Sequence, residues 1–252
     1  MTLFILACGG AEFYAIASFS LLQAVKDFGP DPYTIAKLVI PFGFAFIIGI
    51  CSFSWGLDIL RGGREILLIP SVLMTAGVGS LAAVTQNTKA LAMGLSCIAG
   101  LGIGGVYIPA AVFLTTVAPD DLIGTIVGIG LSIRFIGGQI GYTILYNIFI
   151  TKLTAVVPGM VGIAAIRAGL PPSEVTAFVE ALVNNDTSVL SQLKGITPAV
   201  LSASQHALRA SYDEGFKLVF LASIGFGGAA IIASLFLGDV RRYKGGAVVD
   251  IH

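Results

Sequence analysis

The run LIGTIVGIGLSIRFIGGQIGYTILYNIFI, residues 122–150, decides the fold. It is 29 residues long and carries one charge, Arg134. A helix needs about 20 predominantly apolar residues to cross the hydrocarbon core of a bilayer. The run is continuous and shows no period-two alternation, so it does not read as a strand of a transmembrane barrel. Gly124 and Gly128, and again Gly137 and Gly141, stand four apart. That spacing lets helix backbones touch where lipid supplies no hydrophobic drive for pairing. Taken alone, the run is a transmembrane helix that packs tightly on a neighbour.

Five further windows share its character: Leu3–Gln23, Tyr33–Trp55, Ile66–Gln86, Ala90–Val117 and Leu218–Gly238. Glu12, Lys37 and Arg134 are the charged residues inside the six windows; the rest of the 14 basic and 14 acidic residues lie between or beyond them. The whole chain is 56% hydrophobic and 11% charged, against about 25% charged for a soluble domain. With basic and acidic residues equal in number, no basic surface points to nucleic acid and no acidic tail points to disorder. Composition excludes a soluble enzyme, a disulfide scaffold and a disordered chain. It predicts an all-α, integral, multi-pass membrane protein with six transmembrane helices and the lipid bilayer as its partner.

The windows divide the chain. Residues 1–150 hold helices one to five, 151–217 form a long extracytoplasmic loop, 218–238 are helix six and 239–252 a cytoplasmic tail. The first window lacks a basic region before it, since Lys26 is the first cation, so it reads as a retained span rather than a cleaved signal. The short loops set orientation. Arg61, Arg64, Arg241, Arg242 and Lys244 lie on one side and Lys26 and Lys89 on the other, which places both termini in the cytoplasm. Asn185-Asp186-Thr187 is a possible glycosylation sequon on the outer side. Within the long loop, Pro171-Pro172-Ser173-Glu174 reads as a helix start. Apolar Val175, Phe178, Val179 and Leu182 follow at helical spacing. Ser188–Leu193 and Pro198–Leu208 read as two further short amphipathic pieces.

Cys8, Cys51 and Cys97 fall inside the windows as packing residues, and His206 and His252 stand apart from them. The sequence therefore assigns no metal, no cofactor and no disulfide. No nucleophile–base pair or His/Asp/Glu cluster appears in the spans, so an enzyme is not expected.

Two stretches carry a family resemblance. The first runs from Ala118-Pro119-Asp120-Asp121 through Ser132-Ile133-Arg134-Phe135-Ile136-Gly137-Gly138-Gln139-Ile140-Gly141 to Tyr146-Asn147, with the tail Arg241-Arg242-Tyr243 agreeing. The second is the loop Gly56–Glu65, in which Gly56, Arg61, Gly63 and Arg64 match the cytoplasmic loop signature of the major facilitator superfamily. Leu60 and Glu65 depart from it. The chain resembles the C-terminal six-helix half of fungal drug transporters with fourteen spans, of the trichothecene-efflux and siderophore type. The resemblance implies secondary efflux of a small organic molecule such as a toxin, drug or siderophore, driven by protons. It also implies a second six-helix bundle as partner, either a missing N-terminal half or a further copy of this chain. A truncated product, or a non-transporting fragment that acts as an assembly partner, stays open as the alternative. Each half of such a fold contains two three-helix units of inverted topology.

Depth in the membrane selects the candidate residues. Glu12 and Arg134 sit near the middle of their windows, where a charge costs about 3 kcal/mol and needs a partner or water. Glu12 reads either as a protonatable coupling carboxylate, with Arg134 as its counter-ion or as an anion contact, or as half of a fixed pair with Arg134 that locks helix one against helix five. Gln139, Tyr142 and Tyr146 share one stripe of helix five that could line a substrate path. Arg134, Gly138 and Gly141 share another that should pack on a neighbour. Tyr107, beside Pro109, is a further cavity candidate.

Overall fold

The apolar windows fold as helix from end to end. The computed structural model describes residues 1–29, 31–59, 64–85, 87–184, 186 and 195–237. The first span is α1 (Thr2–Tyr14), a π-helical segment (Ala15–Ser20) and α2 (Leu21–Phe28) in unbroken succession. It is followed by α3 (Pro32–Ile59), α4 (Glu65–Ser80) with a 3-10 turn at Leu81–Ala83, α5 (Lys89–Val117) and α6 (Ile123–Arg167). A short α7 (Val175–Asn184) then precedes α8 (Pro198–Leu235). Six of these stretches are long and apolar enough to cross a membrane, and the described residues contain no strand. The first four spans, Thr2–Lys26, Pro32–Gly56, Glu65–Ala83 and Lys89–Thr116, agree with the expected windows to within three residues.

Local chemistry sets the boundary between the first two spans. Gly29 adopts a φ of 100° and stops α2. Asp31 Oδ2 then accepts from the Thr34 amide at 3.0 Å and from the Thr34 hydroxyl at 2.8 Å, and Pro32 opens α3. Carboxylate caps and proline at the first helical position both favour a helix start. The Thr34 hydroxyl and amide hold the Asp31 carboxyl below its usual range.

The expected loop over 151–217 is corrected by the structure. α6 continues from Ile150 to Arg167, and α8 begins at Pro198 rather than Leu218. At 1.5 Å per residue the 45 residues of α6 reach about 67 Å and the 38 of α8 about 57 Å. Both are roughly twice the hydrocarbon thickness of about 30 Å. Their excess length, with α7, forms a helical cap with a core of its own: Val157, Val161, Ala165, Leu170, Phe178, Val179, Leu182 and Val200. Charges such as Lys152, Arg209 and Lys217 end the hydropathy window. They do not end the helix, because an apolar face persists. The expected start at Pro172–Glu174 is present, and Phe178, Val179 and Leu182 are buried as their spacing requires. The expected piece Pro198–Leu208 is the start of α8, about three turns, capped by Thr197, whose hydroxyl accepts from the Val200 amide at 3.2 Å. Asn185, Ser188–Leu193, Arg61, Gly63 and the 239–252 tail lie outside the described residues.

Packing follows an internal symmetry. α5 packs on α3 and α4, α1 packs on α6 and α8, and the pairs α1–α5 and α4–α8 close the bundle. Exchanging the first three spans for the last three reproduces these pairings, as an inverted repeat requires. The α6–α8 pair is the departure, since α3 and α4 touch far less; the cap, which only α6 and α8 enter, accounts for it. Glycines set the closest approaches. A Cβ on Gly137 would lie 2.6 Å from Ala7 Cα, and one on Gly104 3.0 Å from the Ile50 nitrogen. Gly124 and Gly128 have the same spacing, yet a Cβ on either would meet nothing within 4 Å. The α3 and α6 spans are the most open, with 17% and 28% of their most apolar windows buried against 50–56% for the first, third and fourth.

Candidate transport site

Glu12 is completely buried, and neither carboxyl oxygen has a hydrogen-bond partner. It points between α4 and α8. A Cβ on Gly227 would stand 2.8 Å from Glu12 Oε1 and 2.7 Å from Thr75 Cγ2, so only glycine fits there without displacement. The carboxyl also faces Ser223. The nearby hydroxyl protons are already used: Ser223 donates to the Phe220 carbonyl at 2.9 Å and Thr75 to the Ser71 carbonyl at 2.8 Å. The Gly227 backbone amide also lies within reach of the carboxyl.

Arg134 occupies the other side of the first span. It is 7% exposed, and its guanidinium carbon lies 3.3 Å from the Tyr107 ring centre and 5.2 Å from that of Phe13. Cation–π contacts of this kind stabilise by about 2 kcal/mol when desolvated. No hydrogen bond or ion pair to the guanidinium forms among the described residues. It borders a cavity of about 340 Å³ lined by Phe13, Tyr14, Phe46, Tyr107, Arg134 and Phe135. The walls come from α1, α3, α5 and α6, so the cavity lies on the side where the two most open spans flank α1 and α5.

The structure does not form the expected Glu12–Arg134 pair. Glu12 turns toward α8, and Arg134 turns toward Tyr107. Glu12 and Phe13 are adjacent, and successive helical residues point about 100° apart. Tyr107 meets Arg134 as a cavity residue. Gly138 and Gly141 pack on Tyr14 and Ala11 of α1, as their stripe requires. Gln139 is exposed on the open face of α6, and Tyr142 stacks on Tyr146 and lies tilted against Phe19, with ring centres 5.8 and 5.9 Å apart. Neither joins the Arg134 cavity. Gly56 and Arg64 flank the loop between α3 and α4. Sequence reasoning missed Phe13, Tyr14, Phe46, Phe135, Thr75, Ser223 and Gly227. A signal existed for Thr75, since Ser71 and Thr75 lie one turn apart in a largely apolar span. The aromatic residues gave none. The π-helical segment just after Tyr14 was equally silent, although such insertions often accompany functional sites.

Comparison with known proteins agrees with this architecture. A family profile described as fungal trichothecene efflux pump (TRI12) matches residues 35–250. The MFS-type transporter prx5 of Penicillium rubens is 29% identical over 234 residues, covering 90% of this chain and 42% of that protein. The trichothecene efflux pump TRI12 of Fusarium sporotrichioides is 20% identical over 73% of this chain and 31% of its own length. Its counterpart in Trichoderma arundinaceum is 26% identical over 80% and 34%. The chain thus spans less than half the length of these curated relatives. An integral, multi-pass membrane protein of the major facilitator type, the chain belongs to the fungal trichothecene efflux pump family.

Proposed function

We propose that this chain supplies the C-terminal half of a proton-coupled carrier that exports a small organic molecule. Glu12 carries the coupled proton, and the Arg134–Tyr107 cavity forms part of the substrate path. The reading rests chiefly on one observation. A buried carboxyl without a hydrogen-bond partner sits on the back of the helical turn whose Phe13 and Tyr14 wall the cavity. The names of two relatives, both trichothecene efflux pumps, support export as the direction. The open faces of α3 and α6 support a second six-helix bundle, a partner half or another copy, that covers them. Alternating access requires two units moving about a midplane site, so the monomeric chain alone does not transport. Both termini lie in the cytoplasm and the helical cap on the outer face.

The test is made in a complete carrier containing this half. Glu12→Gln is expected to abolish export driven by a proton gradient while sparing expression and substrate binding. Proton-driven export at the parent rate by Glu12→Gln overturns the coupling role. Export by demonstrably monomeric chain in liposomes overturns the need for a second bundle.

A further inference from the structure

We propose that the Arg134 cavity binds a flat organic carboxylate, its anionic group on the guanidinium and its ring system against Phe13, Phe46 and Phe135. The proposal rests on the reading that this cavity belongs to the substrate path, and it names the chemical class that would occupy it.

The charge argument comes first. Arg134 is more than nine-tenths buried at membrane depth, where an uncompensated cation is costly and is retained for a reason. Tyr107 covers one face of the guanidinium, but an aromatic face takes none of its N–H groups as a carboxylate would. Five donors in a planar fork match a carboxylate through two parallel hydrogen bonds. The membrane-depth acid, Glu12, faces α4 and α8 on the far side of α1. No acid lines the cavity among the described residues, and a ligand carboxylate would supply the counter-charge there.

Shape supplies the second argument. Rings form a connected wall: Phe13 and Phe46 centres are 6.1 Å apart, Phe46 and Tyr107 meet edge-on at 5.6 Å, and Phe13 and Tyr14 edge-on at 5.9 Å. Offset and edge-to-face geometries of this kind accept a further ring. The volume of about 340 Å³ stands at the small end of ligand sites, roughly 300–1,000 Å³, and suits one or two fused rings. A long acyl tail or a macrocycle would not be enclosed.

The experiment compares 2-naphthoate with its neutral isostere 2-naphthamide, by calorimetric titration of the full chain in nanodiscs of zwitterionic lipid at neutral pH. Zwitterionic lipid leaves no anionic headgroup to compete, and a parallel titration in anionic lipid reports whether one does. Naphthoate is expected to bind about tenfold more tightly or better. Arg134→Gln should erase that preference, and Arg134→Lys should keep part of it. Equal affinities in the parent chain, or a preference that survives Arg134→Gln, overturn the proposal. In the anionic discs surface repulsion weakens naphthoate by less than about tenfold; complete loss of naphthoate binding there, through a headgroup seated on Arg134, also overturns the proposal. A Trp55→Phe/Phe46→Trp chain keeps Arg134 intact should the arginine variants fail to fold. Its indole must be quenched by naphthoate at lower concentration than by naphthamide, and equal quenching overturns the proposal. Binding of both probes alike removes the carboxylate class and leaves the substrate path standing. Export by the complete carrier is a separate measurement and decides the transport reading on its own.

Discussion

Alanine at Gly137 adds a methyl group 2.6 Å from Ala7 Cα and 2.7 Å from the Ala7 carbonyl carbon. Carbon atoms rest at about 3.5–4.0 Å, so α1 has to retreat by roughly 1 Å. The atoms in the way are backbone, and no side-chain rotation relieves them. Overpacking of this kind costs about 1–3 kcal/mol. The higher helix propensity of alanine returns about 0.5–1 kcal/mol, which leaves a net loss of about 1–2 kcal/mol. Gly141→Ala should behave similarly, because its methyl would stand 2.9 Å from Ala11 Cα. Gly124→Ala and Gly128→Ala meet nothing within 4 Å, so they should be neutral or stabilising by up to about 1 kcal/mol. Thermal unfolding of each variant in detergent, followed by circular dichroism, ranks the four. One control sharpens the test: Ala7→Gly should not rescue Gly137→Ala, since the collision is with the Ala7 backbone and not its methyl. Losses at Gly124 or Gly128 as large as at Gly137, or rescue by Ala7→Gly, would refute the packing described for the α1–α6 seam.

Phe178 is fully buried in the cap core, and Phe178→Ala should cost about 3–5 kcal/mol of local stability. Protease should then cut between residues 168 and 200 while the spans remain protected; unchanged resistance would contradict an independently packed cap. The Asp31 cap should weaken in acid. Its carboxyl lies below the ordinary range because of Thr34, so the cap contributes fully above the ordinary carboxylate pKa and is lost as pH falls through the lowered value. Hydrogen exchange at Thr34 and Ile35, corrected for intrinsic rates, should accelerate over that window in the parent chain. It should be fast and independent of pH in Asp31→Ala.

Depth was legible in this sequence and direction was not. The first four spans could be read because charges separate them from one another, and the position of Glu12 and Arg134 along their helices followed from counting. Which way each side chain faces depends on what packs around the helix, so two charges at similar depth were read as partners although α1 stands between them. The glycine spacings show the same limit, because Gly124/Gly128 and Gly137/Gly141 are alike in sequence and only the second pair meets a neighbour. The cap was lost for another reason. Hydropathy reports where lipid ends, while the helix continues as long as one face stays apolar. Val157, Val161 and Ala165, at i, i+4 and i+8, held that information, as did Thr197 before Pro198. What neither depth nor hydropathy could reveal is how α1 joins the two candidate sites. Glu12 anchors its back to Gly227 and Thr75, and Phe13 and Tyr14 wall the Arg134 cavity on its front. Helical geometry ties adjacent residues rigidly together, so a rotation of α1 that loosens the Glu12 packing also moves the cavity wall. The two candidate sites therefore share one helical turn of α1.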